Sequence, residues 1–294
     1  MFLRRQNMFL SSLEQGLIFA ILAMGVFITY KILDFPDLSV EGSFPFGAFI
    51  LAKCLTMGLD PFTSTILSFL IGTLTGLITY VLHIKLKIAP ILSGILTMTL
   101  LYSINLRING KSNVALFSYK TIFGNIEPLI VLIIVCILTK IAMDLFLKTE
   151  IGYALIATGD NEKLIQGLGH NSDKYKMIGL MLSNGLVAMS GALMAQIQGF
   201  ADIGMGTSII VVALASIVVG DTFFKHSRKL KGTTRAIIGA VVYKLIGALA
   251  IDLGLSPNDL KAISAIIVIV FLSYNNFEIG KMITDKVKGG KVNA

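Results

Sequence analysis

The stretch MIGLMLSNGLVAMSGALMAQIQGFA at residues 177–201 decides the fold class, because it is long, apolar and without charged residues. At about 1.5 Å per residue, a helix of this length spans the roughly 30 Å hydrocarbon core of a bilayer. Residues 61–84 and 88–106 form two further uncharged runs. These runs are continuously apolar rather than alternating, which argues against a transmembrane β-barrel. The sequence therefore predicts an all-α, polytopic transmembrane helical bundle.

The composition supports the same class. The chain has 294 residues, of which 55% are hydrophobic and 14% charged, with a mean hydropathy of +0.82, whereas soluble domains carry about 25% charged residues. The net charge of +8 does not indicate nucleic acid, because excess Lys and Arg in a membrane protein mostly reports which loops are cytoplasmic.

Motifs that carry chemistry are scarce. Cys54 and Cys136 have no CxxC spacing and are interpreted as small buried hydrophobes. The three histidines lack a second ligand at metal spacing, and no GxxxxGK[ST] nucleotide loop occurs. We therefore expect no metal, no cofactor and no enzymatic activity here, and any ATP chemistry would belong to another subunit.

Two polar, glycine-containing breaks interrupt the apolar pattern. Residues 34–47, DFPDLSVEGSFPFG, hold three acids and two prolines ahead of a short apolar piece at 48–57. We interpret 34–57 as a broken, re-entrant element. Residues 198–208, QGFADIGMGTS, form the second break before another short piece at 209–220. Paired interrupted segments of this kind point to a transport pathway.

The two breaks resemble each other in sequence. FPDLSVEGS at 35–43 matches FADIGMGTS at 200–208 with one gap, and chance similarity over nine residues is the alternative. Exposed backbone groups at a break persist only in protein or in a wet cavity. We therefore predict that both breaks line the translocation path. The alternative is a purely structural role, in which their acids cap helix ends at the outer water boundary. The candidate path residues are Asp37, Ser39, Glu41, Gly42, Asp202 and Gly204.

A polar island, EIGYALIATGDNEKLIQGLGHNSDKYK at residues 150–176, precedes the opening stretch. It reads as two short helices at 150–157 and 161–168, with Asp160 or Asn161 capping the second and Gly159 in a turn that favours positive φ. Apolar positions form a stripe along it. We predict a docking surface for a soluble partner, and the alternative is an amphipathic helix lying on lipid headgroups. The stripe comprises Leu155, Ile156, Leu164, Ile165 and Leu168.

Basic residues predict the topology. Most of the 25 Lys and Arg fall in residues 1–12, 84–87, the island, 221–235 and the C-terminal tail. The positive-inside rule then places the N- and C-termini in the cytoplasm, with the island. This assignment requires segment 34–57 to enter and leave on the outer face. The basic tail at 281–294 is expected to be mobile.

The island carries a family likeness. EIGYALIATGDNEKLIQGLG resembles the cytoplasmic coupling segment of bacterial ABC importer permeases of the ribose and branched-chain amino-acid type. DLSVEG at 37–42 and residues 235–268 look like the subgroup paired with tryptophan- or tyrosine-binding lipoproteins. The basic loop at 221–235 departs from the ribose-type Gly-Gly-rich turn, which argues against sugar transport. The ATPase-coupling residues implied by the resemblance are Glu150, Gly152, Ala157, Gly159, Asp160, Asn161 and Gly167.

The resemblance implies a function and partners. Residues 1–294 would form one permease domain, with a coupling segment at 148–176, in the bacterial cytoplasmic membrane. Its partners would be two cytoplasmic ABC ATPase subunits, an extracellular substrate-binding lipoprotein and a second permease, in a homodimer or a similar heterodimer. The solute would be small, an amino acid, with an aromatic one suggested by the subgroup. The alternative is a secondary, ion-coupled transporter, which would need charges inside the spans and no docking element.

Overall fold

The computed structural model describes residues 2–224, 230–256, 259, 262–271 and 273, with side chains from residue 8 onward. The expected mobile tail at 281–294 lies outside the described residues. Within them, seven helical segments are long and apolar enough to cross a membrane. The chain is therefore an all-α polytopic bundle, as predicted.

The elements follow one another with short connections. Helices α1 and α3 each end in a π-helical turn, Ile28–Ile32 and Val81–Lys85, and a 3-10 turn, Ile203–Gly206, precedes α9. The remaining elements are α1 (Phe2–Phe27), α2 (Val40–Thr56), α3 (Pro61–Tyr80), α4 (Pro90–Asn109), β1 (Asn113–Ala115), α5 (Pro128–Phe146), α6 (Glu150–Asp160), α7 (Glu162–Gly167), α8 (Ser172–Gln198), β2 (Phe200–Asp202), α9 (Ile209–Phe223), α10 (Gly232–Asp252) and α11 (Ala262–Phe271).

Helices α1, α2 and α8 form the centre of the bundle. The main cluster of buried apolar side chains draws on all three, whereas α5 turns most of its surface outward. The central helices approach closely through glycines. A Cβ at Gly47 would lie 1.9 Å from the Ala188 carbonyl oxygen, and one at Gly191 would lie 1.9 Å from that of Phe44. Small residues at helix contacts are the usual means of packing in membranes, where backbones pack by van der Waals contact.

The bundle has two distinct ends. The coupling end carries α6 and α7, and the start of α8 lies beside the end of α3 there, where Lys85 pairs with Asp173 at 3.6 Å. The ribbon end carries the antiparallel pair β1–β2, in which Asn113 lies opposite Asp202. Helices α3, α5 and α9 run toward the coupling end, whereas α4, α8 and α10 run away from it.

The prediction that residues 34–57 re-enter on one face is wrong. Only residues 33–39 interrupt the helices, and the polar run from Val40 onward is part of the continuous 17-residue helix α2. The prediction took the acids, prolines and glycines of this segment as evidence against a regular helix. Instead α2 is buried against α3, α4 and α8, and this protein environment accommodates Pro45 and the acid Glu41 within it. Helix α2 therefore crosses from the coupling end to the ribbon end.

The prediction that the N-terminus shares a side with the island is also wrong. Gln15, near the middle of α1, contacts Lys244 in the second half of α10 at 3.2 Å, so α1 runs antiparallel to α10 and begins on the ribbon side. The other end of α1 lies at the coupling end, where Lys31 pairs with Asp221 at 2.9 Å. The positive-inside assignment rested mainly on the basic residues of the other loops, and only Arg4 and Arg5 supported a cytoplasmic N-terminus. Because α1 and α2 are both misassigned, the errors cancel, and the directions predicted from α3 onward agree with the structure.

The second break is observed where the sequence predicts it. Gly199 ends α8 in the left-handed region, with φ of 75°. Residues 200–202 then pair with β1, the 3-10 turn follows, and Ser208 begins α9 with φ of 64°. This segment turns from the ribbon into the bundle, because a Cβ at Gly206 would meet the Glu41 carbonyl oxygen of α2 at 2.0 Å.

Candidate functional site

An open groove lies where the start of α2 meets the second break, between α2, α4 and the 3-10 turn. Its volume is about 370 Å³, within the range of about 300–1,000 Å³ typical of small-molecule sites. Its walls are mostly apolar, with a few polar groups. The lining residues are Glu41, Gly42, Pro45, Met98, Thr99, Tyr102, Asn105, Ile203, Gly204, Gly206 and Thr207.

Pro45 of α2 and Gly206 of the 3-10 turn are in close contact and together form part of the groove wall. Proline has no N–H, so Pro45 cannot donate the helical hydrogen bond to the Glu41 carbonyl. That carbonyl instead faces the 3-10 turn, and glycine at 206 is required because any side chain would meet both Glu41 and Pro45. Helix α2 therefore contacts the second break directly.

The predicted path residues separate into two groups. Glu41, Gly42 and Gly204 line the groove, so the structure brings the start of α2 to the second break, whereas the interruption at residues 33–39 is not part of the groove lining. Gly42 also packs against α4, because a Cβ there would lie 2.9 Å from the Met98 Cα. Asp202 lies at the ribbon, where it accepts hydrogen bonds from the Gly204 N–H at 2.8 Å and from Asn113. Its role there is the capping role that the alternative interpretation gave to the acids.

Asp37 and Ser39 lie elsewhere, in a buried polar network. The Asp37 carboxylate accepts hydrogen bonds from the Ser39 N–H at 2.9 Å, the Ser39 hydroxyl at 2.5 Å and the Asn184 amide at 2.8 Å. Ser43 donates to the Asn184 Oδ1 at 2.6 Å and lies 2.7 Å from the Thr75 hydroxyl. The network joins α2, α3 and α8 and holds the turn between α1 and α2 in place.

Asn105 of α4 is a groove residue that the sequence analysis missed. Its side chain is fully buried, and no hydrogen-bond partner among the described residues reaches either Oδ1 or Nδ2. An unsatisfied buried polar group costs about 1–3 kcal/mol. The sequence does contain a signal for this residue, because Asn105, like Asn184, is an amide inside an uncharged and mostly apolar run.

Helices α6 and α7 are positioned by specific caps. The Thr149 hydroxyl accepts from the Gly152 N–H at 3.1 Å at the start of α6, and the Asn161 side chain accepts from the Leu164 N–H at 3.1 Å at the start of α7. Of the two candidates, Asn161 is thus the cap of the second helix. The prediction of a positive φ at Gly159 is wrong, because Gly159 is helical within α6.

Gly159 is required for a different reason. A Cβ there would lie 1.6 Å from the Ile32 carbonyl oxygen, so α6 rests directly on the π-helical end of α1. Gly152 makes a similar approach to the Phe146 carbonyl of α5, at 2.2 Å. By contrast, Gly167 has nothing within 4 Å of a Cβ. Two of the three glycines in the motif therefore fix α6 against the bundle.

The apolar stripe predicted for the island is divided between two faces. Leu155 and Ile165 are buried against the bundle, whereas Tyr153, Leu164 and Leu168 are exposed. The coupling segment consequently presents an apolar outer surface at the end of the molecule. Glu150, Asp160 and Asn161 are exposed on the same segment and Ala157 is half-buried.

An ion pair ties α7 to the start of α8. Lys176 Nζ lies 2.7 Å from Glu162 Oε2, and the Ser172 hydroxyl donates to Glu162 Oε1 at 3.0 Å. The hydrogen bond from Lys176 and, to a smaller extent, that from Ser172 lower the pKa of Glu162. The coupling segment is thus held near its middle, by the packing of Gly159 on α1 and by the ion pair of Glu162 with α8.

The protein is a bundle of membrane-length helices. It has a groove between α2, α4 and the 3-10 turn, and the segment of α6 and α7 packs on one end. This arrangement is typical of a membrane transport component. Comparison with known families agrees. Residues 8–273 match the family model described as branched-chain amino acid transport system / permease component. The chain belongs to this family and is a permease component of an ABC importer.

Individual relatives were also found. The tyrosine transport system permease protein of Clostridioides difficile is 48% identical, covering 97% of each chain. An uncharacterized protein of Rickettsia prowazekii is 32% identical, covering 91% of this chain and 97% of the relative. The ribose import permease protein RbsC of Haemophilus influenzae is 28% identical, covering 91% and 84%. Among solved structures, PsaBC from Streptococcus pneumoniae in complex with Fab gives a TM-score of 0.44 at 16% identity, covering 84% of this chain and 95% of that chain, a likeness too low to carry an argument.

Proposed function

We propose that this permease forms the translocation path for an amino acid, with tyrosine as the first candidate. An extracellular binding lipoprotein would deliver the solute at the ribbon end, and two ATPase subunits would dock at the coupling end. Two permease chains would form a dimer in the cytoplasmic membrane, with the groove as the outer part of the path.

The meeting of the start of α2 with the second break at one groove is the observation that carries this proposal. Glu41 and Gly42 come from the first turn of α2, and Gly204 from the second break. Backbone groups released from helices at membrane depth are tolerated where they line a cavity. The mostly apolar wall suits a solute with a substantial apolar surface, and the identity of 48% to a tyrosine transport system permease protein supports tyrosine.

The coupling segment supports an ATPase partner. Its outer face carries exposed apolar side chains, including Tyr153 at 63% and Leu168 at 65% exposed. Its inner face rests on the ends of α1, α5 and α8, so a displacement of the segment reaches the central helices directly. Exposed apolar surface on a braced element is typical of a protein-docking site.

Uptake by the reconstituted complex tests the proposal. Proteoliposomes that contain the permease with its ATPase, and that are supplied with binding protein, should accumulate labelled tyrosine only when ATP is present on the side of the membrane that carries the ATPase. An ATPase variant that cannot hydrolyse ATP serves as the matched control. Uptake by the permease alone, driven by an ion gradient, would instead establish the secondary-transporter alternative.

A further inference from the structure

Asn105 stands out among the buried polar residues of the described chain. Its side chain is fully buried, it borders the groove, and both polar atoms of its amide have no partner among the described residues. Most buried polar side-chain atoms in folded proteins have a hydrogen-bond partner. Both polar atoms of Asn105 lie just behind the groove wall without a partner among the described residues. This points to a partner that enters the cavity and reaches the amide when the neighbouring wall residues shift.

Asn184 shows how this fold satisfies an amide that has a structural role. It is equally buried, its Nδ2 donates to Asp37 at 2.8 Å and to the Leu180 carbonyl at 3.1 Å, and its Oδ1 accepts from Ser43 at 2.6 Å. Two asparagines of equal burial thus differ completely in their hydrogen bonding. The difference lies in the surroundings, because only Asn105 borders the groove.

We propose that the Asn105 amide binds a hydroxyl group of the transported solute. An amide presents one acceptor and two donor hydrogens, and a hydroxyl both donates and accepts, whereas a carboxylate only accepts and an ammonium only donates. The neighbouring Met98 and Tyr102 provide apolar surface for the rest of the solute. Asn105 is therefore a specificity-determining residue, and this inference rests on the proposed function of the groove.

A hydroxyl partner leads to a specific discrimination. A site built to hydrogen-bond a hydroxyl rejects the analogue that lacks it, because the buried amide then stays unpaired. Tyrosine and phenylalanine differ by this group alone. The wild-type groove is expected to pass tyrosine in preference to phenylalanine, and this preference should depend on Asn105.

Thermal unfolding of the purified, solute-free permease is the first test. Asn105→Leu replaces an unsatisfied amide by an apolar group of similar size, so its midpoint should rise by at least about 2 °C. The matched variant Asn184→Leu breaks a satisfied network and should lower the midpoint. A fall for Asn105→Leu comparable to that for Asn184→Leu would show that an ordered water or a second copy of the chain satisfies Asn105, and would overturn the proposal.

Competition in the reconstituted complex is the second test. Asn105→Leu should reduce tyrosine uptake about 10-fold, equivalent to ~1.4 kcal/mol, while phenylalanine uptake changes less than about 3-fold. Equal losses for both solutes, or no loss for tyrosine, would contradict the assignment. If the wild-type complex transports neither solute, the proposed substrate is wrong, and the thermal comparison alone then decides whether Asn105 has a structural partner.

Discussion

At the scale of single residues, Asp37 offers a sharp test of the buried network. Its carboxylate accepts from three donors, among them the Asn184 amide at 2.8 Å. In Asp37→Asn one oxygen becomes an NH₂ group that faces other donors, so we expect a loss of about 1–3 kcal/mol in the free energy of unfolding. Asp34→Asn is the matched control, because Asp34 is exposed and Asn tolerates its positive φ. Equal effects in chemical denaturation would show that the network does not stabilise the turn.

A substitution at Gly159 tests whether glycine is required there by close packing rather than by a turn conformation. A Cβ there would lie 1.6 Å from the Ile32 carbonyl oxygen, so Gly159→Ala should destabilise the protein by about 1–3 kcal/mol through overpacking. Gly167→Ala adds a methyl group to open space in a helix, and its stability should be unchanged or slightly higher. Thermal unfolding of the two variants measures this contrast. A fully stable Gly159→Ala would mean that α6 does not rest on α1.

At the scale of elements, two neighbouring residues of α7 distinguish docking from packing. Leu164 is 56% exposed and Ile165 is 5% exposed. Ile165→Ala should cost about 2–5 kcal/mol of stability, whereas Leu164→Ala should leave stability unchanged and weaken association with the ATPase. Co-purification of the ATPase with each variant provides the measurement. Full retention of the ATPase by Leu164→Ala would remove this face of α7 from the docking surface.

Helix α2 gives a second prediction at this scale. Because α2 crosses the bundle, Asp34 before it and Met57 after it should be accessible from opposite sides of the membrane. Single cysteines at these two positions, with Cys54 and Cys136 replaced by alanine, can be labelled with a membrane-impermeant thiol reagent in intact cells and in inverted vesicles. Labelling of both from the same side would restore the re-entrant topology.

At the scale of the whole molecule, the sequence predicted the class, most of the membrane-length helices and the second break, whereas most of the first polar segment is helical. Uncharged runs and proline or glycine interruptions are local signals, and they located α3, α4, α5 and α8 well. The crossing of α2 could not be predicted in this way, because its acid, proline and glycines suit a helix only when neighbouring helices surround it. That surrounding is a tertiary property.

The candidate site was predicted in part for the same reason. The likeness between residues 35–43 and 200–208 predicted that Glu41, Gly42 and Gly204 belong to one site. In the structure all three line the same groove. Asp37 was assigned to the path because a charge in an apolar chain suggests a cavity, whereas its three hydrogen bonds are buried within the bundle. Asn105 was missed because an unsatisfied amide is recognisable only once its neighbours are known.

Solvent accessibility of the groove tests most directly whether the solute passes between the start of α2 and the second break. Single cysteines at Thr99 and Gly204, both on the groove, should react with a membrane-impermeant reagent from outside, and solute-loaded binding protein with ATP should change their rates several-fold. A cysteine at Leu138, exposed on the outer helix α5, is the lipid-facing control. The account is contradicted if the cysteines at 99 and 204 behave like that control, reacting only with membrane-soluble reagents and at rates indifferent to ATP and binding protein.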